Sequence, residues 1–195
     1  MTSLRERKKD KVRGALLGAA LDLFDRQGFA ETTIPQIADA VDVSARTVLR
    51  YFPTKEDVVV SWVEEGMSVF LSSLFDRPQD ETPDIALLAS ARAMLSHYES
   101  QADFYLKIER VIASSSAVRA RKLEMTSTLA EQVTAALRQR FPTQADAPDM
   151  ALFPAVVFAM MRVVIGIWVE RDGQPSLLDL FAQAVKRVTF VRQTG

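Results

Sequence analysis

Between Gly28 and Asp57, helix stop and start signals follow one another so closely that only two very short helices fit between longer ones. Upstream, Lys11 to Gln27 sets Val12, Leu16, Ala19, Ala20, Leu23 and Phe24 on one stripe at helical spacing. Gly28 is expected to end that helix, because glycine takes the left-handed conformation cheaply. Phe29 then turns back toward the core. Thr33 reads as the N-cap of a second helix over about 34–40, where its hydroxyl can accept from an otherwise unpaired N–H. Pro35 suits the first turn. Ser44 caps a third helix over about 45–51, after the tight connection Val41-Asp42-Val43. Pro53 closes it. Thr54 caps a fourth helix over about 55–75, with Asp57 at the capping-box position.

The rest of the chain continues in helices, expected over roughly 84–100, 102–114, 117–140, 149–171 and 176–192. The polar run DRPQDETPD is a loop or boundary, and Pro142, Pro148, Pro175 and the Asp172-Gly173 pair punctuate the remainder. No stretch sustains the two-residue alternation of a strand, so the fold class is all-α. Residues 150–169 are nearly all apolar and about long enough to span a bilayer. Pro154, Arg162 and Gly166 interrupt them, which favours a buried helix of a soluble core and no membrane partner. The N-terminus is charged, without the apolar centre of a signal peptide.

Charge narrows the function. The 195 residues carry a net charge of −1 and no cysteine. Thiol catalysis, disulfides and cysteine-held metal are therefore excluded, and a reducing cytoplasm fits. Residues 1–55 hold ten Lys or Arg against seven acids, whereas the remainder holds fourteen against eighteen. The excess is steepest at Arg5, Arg7, Lys8, Lys9, Lys11 and Arg13, a basic arm that a polyanion would attract, or a solvated tail. There is no glycine-rich phosphate loop, and no nucleophile with a base nearby; Gly14 and Gly18 sit on a helix face, and Glu64-Glu65 read as solvated charge. An enzyme is not expected, and no cofactor is implied.

Two short helices joined by a tight turn, behind a longer one, form a helix-turn-helix arrangement. In it the second short helix lies in the major groove and the first crosses the backbone. Arg46 and Arg50 can grip guanine by two hydrogen bonds, and the methyls of Ala45 and Thr47 can touch thymine. Leu49 shares the exposed faces, while Val43 and Val48 pack inward. Thr33 and Lys55, each at a helix start, suit phosphates. Tyr51 can add a phenolic donor while its ring packs beside Phe52. A helical protein that binds only other proteins is the competing class; the basic arm and the two arginines argue against it.

The run GFAETTIPQIADAVDVSARTVLRYFPTKEDVV resembles the DNA-binding signature of TetR-type transcriptional repressors, continuously from about Ala15 to Val59. It has the glycine-aromatic pair, the threonine pair, Ile-Ala in helix two, Val-Ser before helix three, and an aromatic-rich exit with a lysine. Typical members have Tyr or Phe where this chain has Leu49. The resemblance implies about nine helices: an N-terminal three-helix DNA-binding domain, here 1–55, and a helical ligand-binding and dimerisation domain, here 56–195. It implies a homodimer through the last two helices, a palindromic duplex operator, and release by a small-molecule effector, although an activator would share the fold. Thr33, Ser44, Ala45, Arg46, Thr47, Leu49, Arg50, Tyr51 and Lys55 are the DNA-facing positions it implies, with the fourth helix as the lever between domains.

In the distal half Met94, His97, Tyr98, Tyr105, Met125, Met161 and Arg162 are the candidate ligand-binding residues. Methionine and aromatics at helical spacing are ordinary core, but methionine also adapts to irregular ligands. Arg162, the one charge inside the apolar run, must be paired if buried. Its partner is an internal carboxylate such as Asp103 or Glu109, or the head group of an acidic ligand. His97 is the only histidine, and with no cysteine a metal site is not expected. The segment IERVIASSSAVRARKLE resembles the central region of TetR-type regulators of acyl-coenzyme A-like ligands, including the mycofactocin-associated regulator. It implies such a ligand, with Arg110, Arg119, Arg121 and Lys122 for its phosphates; a solvated basic face capped by Ser116 is the alternative.

Overall fold

A computed structural model describes the backbone of residues 4–188, with the side chains of Arg7 and residues 11–188. Among them are nine α-helices and no strand: α1 Leu4–Gln27, α2 Ile34–Asp39, α3 Ala45–Tyr51, α4 Lys55–Asp76, α5 Pro83–Ser100, α6 Ala102–Ser114, α7 Ser116–Arg140, α8 Asp149–Glu170 and α9 Leu177–Arg187, plus one 3-10 turn at Pro142–Gln144. The expected boundaries lie within a few residues of these, with two exceptions. Helix α1 begins at Leu4, ahead of the expected Lys11, because the Lys, Arg and Glu residues between are good helix formers with no breaker among them. The side chains of Arg5, Lys8 and Lys9 lie outside the described residues. So does the end expected at 192, since α9 closes at Arg187.

The chain divides into two compact units. One comprises residues 1–62 with 107–123, the other 63–106 with 124–195. This differs from a single cut at 55/56. Helix α4 has no interruption there, and the α6–α7 corner joins the head through Arg121, whose Nε donates to Asp57 Oδ1 at 2.7 Å.

In the first unit α1 packs on α2 and α2 on α3. Leu16, Ala20, Phe24, Ile37, Val48 and Phe52 are buried between them. Gly28 sits at φ 85°, donating to Phe24 O at 2.9 Å, which is the stop expected of it. The turn between α2 and α3 passes through Asp42 at φ 54°, a left-handed position that aspartate tolerates better than most residues. Val43 N then donates to Ala38 O at 3.0 Å. In the second unit α8 packs on α5 and α9, and Phe158 stacks on Phe70 at 5.7 Å.

Helix α8 is buried on one face and open on the other in the single chain. Met150, Val157, Met160, Met161, Val164, Ile165 and Trp168 face inward, while Leu152, Ala155, Ala159, Arg162, Val163 and Gly166 are exposed. Arg162 therefore needs neither of the buried partners expected for it. Its position follows 3.6-residue geometry: it falls between Ala159 and Gly166 on the outer stripe.

Candidate nucleic-acid interface

Each short helix of the head is held at its start by its own side chains. Thr33 Oγ1 accepts from Gln36 N at 3.4 Å, and Thr33 N donates to Gln36 Oε1 at 2.8 Å, a complete capping box. Gln27 Nε2 donates to Glu31 O, Thr32 Oγ1 and Gln36 Oε1 at 3.1, 3.3 and 3.1 Å, bracing the loop before α2. Neither glutamine was expected to matter. The Thr-x-x-Gln spacing around Thr33 was the available signal for Gln36. Ser44 Oγ accepts from Thr47 N at 3.1 Å and lies 2.9 Å from Thr47 Oγ1. Asp57 N donates to Thr54 Oγ1 at 3.1 Å and Thr54 N to Asp57 Oδ2 at 3.0 Å, the reciprocal pair expected at the start of α4.

These bonds sort the expected DNA-facing residues. Val48 is fully buried and anchors α3. On a helix, Arg46 and Arg50 fall almost opposite it, and both are exposed. No carboxylate pairs with either among the described residues; the Arg50 guanidinium lies 5.5 Å from the Tyr51 ring centre. Tyr51 and Thr47 form one shoulder, half-buried, with the Tyr51 ring 6.4 Å from Phe52 and the Thr47 hydroxyl held by Ser44. Ala45 and Leu49 form the other shoulder, and Leu49 is 46% exposed. Thr33 and Ser44 are exposed at the two helix starts.

Lys55 is placed differently. Its Nζ donates to Phe29 O at 2.6 Å, Thr32 O at 2.8 Å and Ala30 O at 3.2 Å, and stands 4.3 Å from the Phe29 ring centre. An ammonium has three protons, so this one is committed to the α1–α2 loop. What Lys55 offers a phosphate is its backbone position at the start of α4.

One Asp57 carboxylate serves both the α4 cap, through Thr54, and a cation, Arg121. Burial pushes its pKa up, but hydrogen bonds from Arg121 and Thr54, with the guanidinium charge, outweigh that and hold it below the ordinary 3.8. Beside it on α7, Lys122 Nζ reaches both oxygens of the buried Glu109 at 2.6 Å. Arg119 donates to Ala113 O. Of the cations expected to meet effector phosphates, then, Arg121 and Lys122 are spent on carboxylates and Arg119 on a carbonyl.

Four of the expected ligand residues come together in the second unit. Tyr98 and Tyr105 stack at 3.8 Å, His97 meets Tyr105 edge-on at 5.9 Å, and Met94 and Tyr98 close over Gly66. His97 Nε2 lies 3.8 Å from Glu65 Oε1. The buried Tyr105 hydroxyl has no hydrogen-bond partner among the described residues. Burial, then the Glu65 carboxylate, raises its pKa far above the ordinary 10.0. Met161 is buried on α8, Met125 half-buried on α7, and Arg162 exposed, so Arg162 stands outside that buried cluster. A separate surface groove of about 350 Å³ runs between α7 and α8, lined by Ser127, Glu131, Thr134, Arg138 and Ala155 among others. None of the expected ligand residues lines it. No group of His, Asp and Glu among the described residues could hold a metal ion.

Residues 16–61 match the family model "Bacterial regulatory proteins, tetR family". The chain is 41% identical over 92 residues to the HTH-type transcriptional regulator TcmR of Streptomyces glaucescens, covering 47% of this chain and 41% of TcmR. This chain thus spans about two-fifths of the length of that relative. The fold is similar to FadR of Bacillus subtilis in complex with stearoyl-CoA, with TM-score 0.61 and 18% identity over 88% of this chain and 95% of that one. It is also similar to FadR of Thermus thermophilus in complex with lauroyl-CoA, with TM-score 0.59 and 20% identity over 93% and 97%. At such identities the likeness is one of fold.

Proposed function

We propose that the chain, whose residues 16–61 match the tetR-family model, is a ligand-responsive repressor of that family. It binds a palindromic DNA operator as a homodimer in the cytoplasm, and a small hydrophobic or acyl-type effector releases it. One observation carries the DNA half of this reading: α3 is anchored by a fully buried Val48 and turns two arginines without carboxylate partners away from the protein. Such guanidiniums match guanine edges and phosphates. Thr33, Ser44 and the start of α4 bring backbone N–H groups toward the same duplex.

The homodimer forms through α8 and α9. In support, Leu152 and Val163 are 54% and 53% exposed on α8, flanked by Ala155, Ala159 and Gly166, small enough to let a second helix approach. The effector enters the second unit at the Met94, His97, Tyr98 and Tyr105 cluster, with Met125 and Met161 as further apolar wall. A carbonyl of the effector accepts from the Tyr105 hydroxyl, which is otherwise buried without a partner. Arg121 and Lys122 are already paired, so an acyl group, more than a polyphosphate, is the part recognised. Helix α4 contributes residues to both units, and a ligand that prefers one of its positions shifts the population that fits DNA.

A gel-shift titration on the chain's own promoter tests the reading. Wild type shifts the fragment, with affinity falling steeply as salt rises. Arg46→Ala with Arg50→Ala loses the shift. If that double variant binds as tightly as wild type, α3 is not the reading helix.

A further inference from the structure

Leu49 is unexplained by the head's own packing. It lies one residue from the fully buried Val48, yet is 46% exposed. On α3 it shares a shoulder with Ala45, four residues earlier. The opposite shoulder is occupied: Thr47 is hydrogen-bonded to Ser44, and the Tyr51 ring lies between Phe52 and Arg50. The apex between the shoulders carries Arg46 and Arg50. The outward surface of α3 therefore has a cationic ridge with one free flank, and that flank is apolar.

Two kinds of surface could cover an exposed leucine here. A second copy of this chain would bring the same two arginines against these, and like charges across an interface repel. Duplex DNA is complementary to the ridge. Its major-groove floor is polar except for one group, the C5 methyl of thymine. An apolar side chain beside arginines finds no other partner of its own kind there.

We propose that Leu49, with the Ala45 methyl beside it, is a specificity-determining residue that reads thymine methyls in the operator half-site. The proposal rests on α3 being the DNA-reading helix. The thymine lies next to a base pair contacted by Arg46, because residues three apart on a helix are neighbours on its surface. The Lys55 ammonium contributes no base reading, since it is committed to three loop carbonyls, and the Thr47 hydroxyl is engaged by Ser44.

The test uses the full chain and a duplex selected by it from a random library. Each thymine of one half-site is replaced in turn by deoxyuridine, which removes the methyl and leaves every hydrogen-bonding group. Affinity is read by fluorescence anisotropy. At one or two positions uracil weakens wild type roughly fourfold, the equivalent of about one buried methyl. Leu49→Ala binds the thymine duplex several-fold more weakly and is indifferent to uracil at those positions. Arg46→Ala, weaker throughout, keeps the thymine preference. Leu49 is exposed, so its variant melts with wild type, which calorimetry checks. If uracil costs nothing anywhere, or costs wild type and Leu49→Ala alike, the thymine reading is wrong while DNA recognition stands. If wild type enriches no sequence from the library, both fall together.

Discussion

Exchanging Lys55 for Met separates two roles that a lysine at a helix start can play. Met keeps the apolar stem and removes the ammonium. The Nζ donates to three carbonyls of the α1–α2 loop at 2.6, 2.8 and 3.2 Å and covers the Phe29 ring at 4.3 Å. Hydrogen bonds from charged donors contribute about 1.5–3 kcal/mol each when solvent is excluded. Lys55 is half-exposed and the Ala30 carbonyl is open to water, so only the Phe29 and Thr32 bonds count, at about 1 kcal/mol each. The ring contact adds about 0.5 kcal/mol. A loss of about 2–3 kcal/mol lowers the melting temperature of a chain this size by about 5–10 °C. Circular dichroism melts read that shift. The companion assay is DNA affinity against salt. A clasp that merely holds the loop before α2 weakens binding without changing the slope of log K against log salt. A phosphate contact would leave the melt alone and flatten the slope by about 0.9. A melt within a degree of wild type, with a flatter slope, refutes the clasp.

Other substitutions probe the remaining joints. Asp57→Asn keeps the shape of the α4 cap and removes the charge facing Arg121. Because the Asp57 carboxyl lies below its ordinary 3.8, its contribution is complete above that pH and disappears as pH falls through the folded value. Wild-type and variant melts should differ at neutral pH and converge in stronger acid; Arg121 is 40% exposed, so the difference is under about 1 kcal/mol. A constant gap at every pH would deny the ion pair any role. Gly66→Ala brings a methyl to 2.8 Å from Tyr98 Cε2 and 3.0 Å from Met94 Cε. The methionine can rotate away, but the tyrosine is stacked on Tyr105, so overpacking outweighs the helix propensity gained and the net cost is about 1–2 kcal/mol. An unchanged or higher melting temperature would mean the ring stack yields. Leu152→Glu with Val163→Glu places two charges on the exposed stripe of α8 and should turn a dimer into a monomer by light scattering, with helicity retained; a variant that stays dimeric puts the interface elsewhere.

The head was legible because its signals are local. A cap declares itself by the residue type three positions on, and Thr33, Ser44 and Thr54 each find their partner within that distance. The task of Lys55 was not legible. Its acceptors are backbone carbonyls 23 to 26 residues earlier, and a carbonyl has no residue identity to read. Nor was the Arg121–Asp57 pair, which joins residues 64 apart. Arg162 failed for another reason. A helix whose two faces are both apolar has no periodicity to reveal which one is buried, so its single charge gave the only clue, and within the single chain that charge lies on the exposed face. The exposed Leu152 and Val163 on the same side show what the pattern hid.

These particulars bear on how a head so small can be both stable and specific. Two of its helices have six and seven residues, too short to persist alone, so their ends must be satisfied by side chains rather than by length. Thr33, Gln36, Ser44 and Thr47 are drawn into that work, while Lys55 holds the loop before α2 and Thr54 with Asp57 starts α4. Polar groups engaged in holding the backbone cannot also discriminate bases without giving up one bond for another. If α3 reads DNA as proposed, discrimination falls to the side chains that packing leaves exposed, and on α3 those are Arg46, Leu49 and Arg50. Two of the three are cations that any duplex attracts. The leucine adds nothing to attraction at a distance and gains only on a groove floor that presents a methyl, so relaxed sequence preference with little change in salt dependence is the expected mark of its loss.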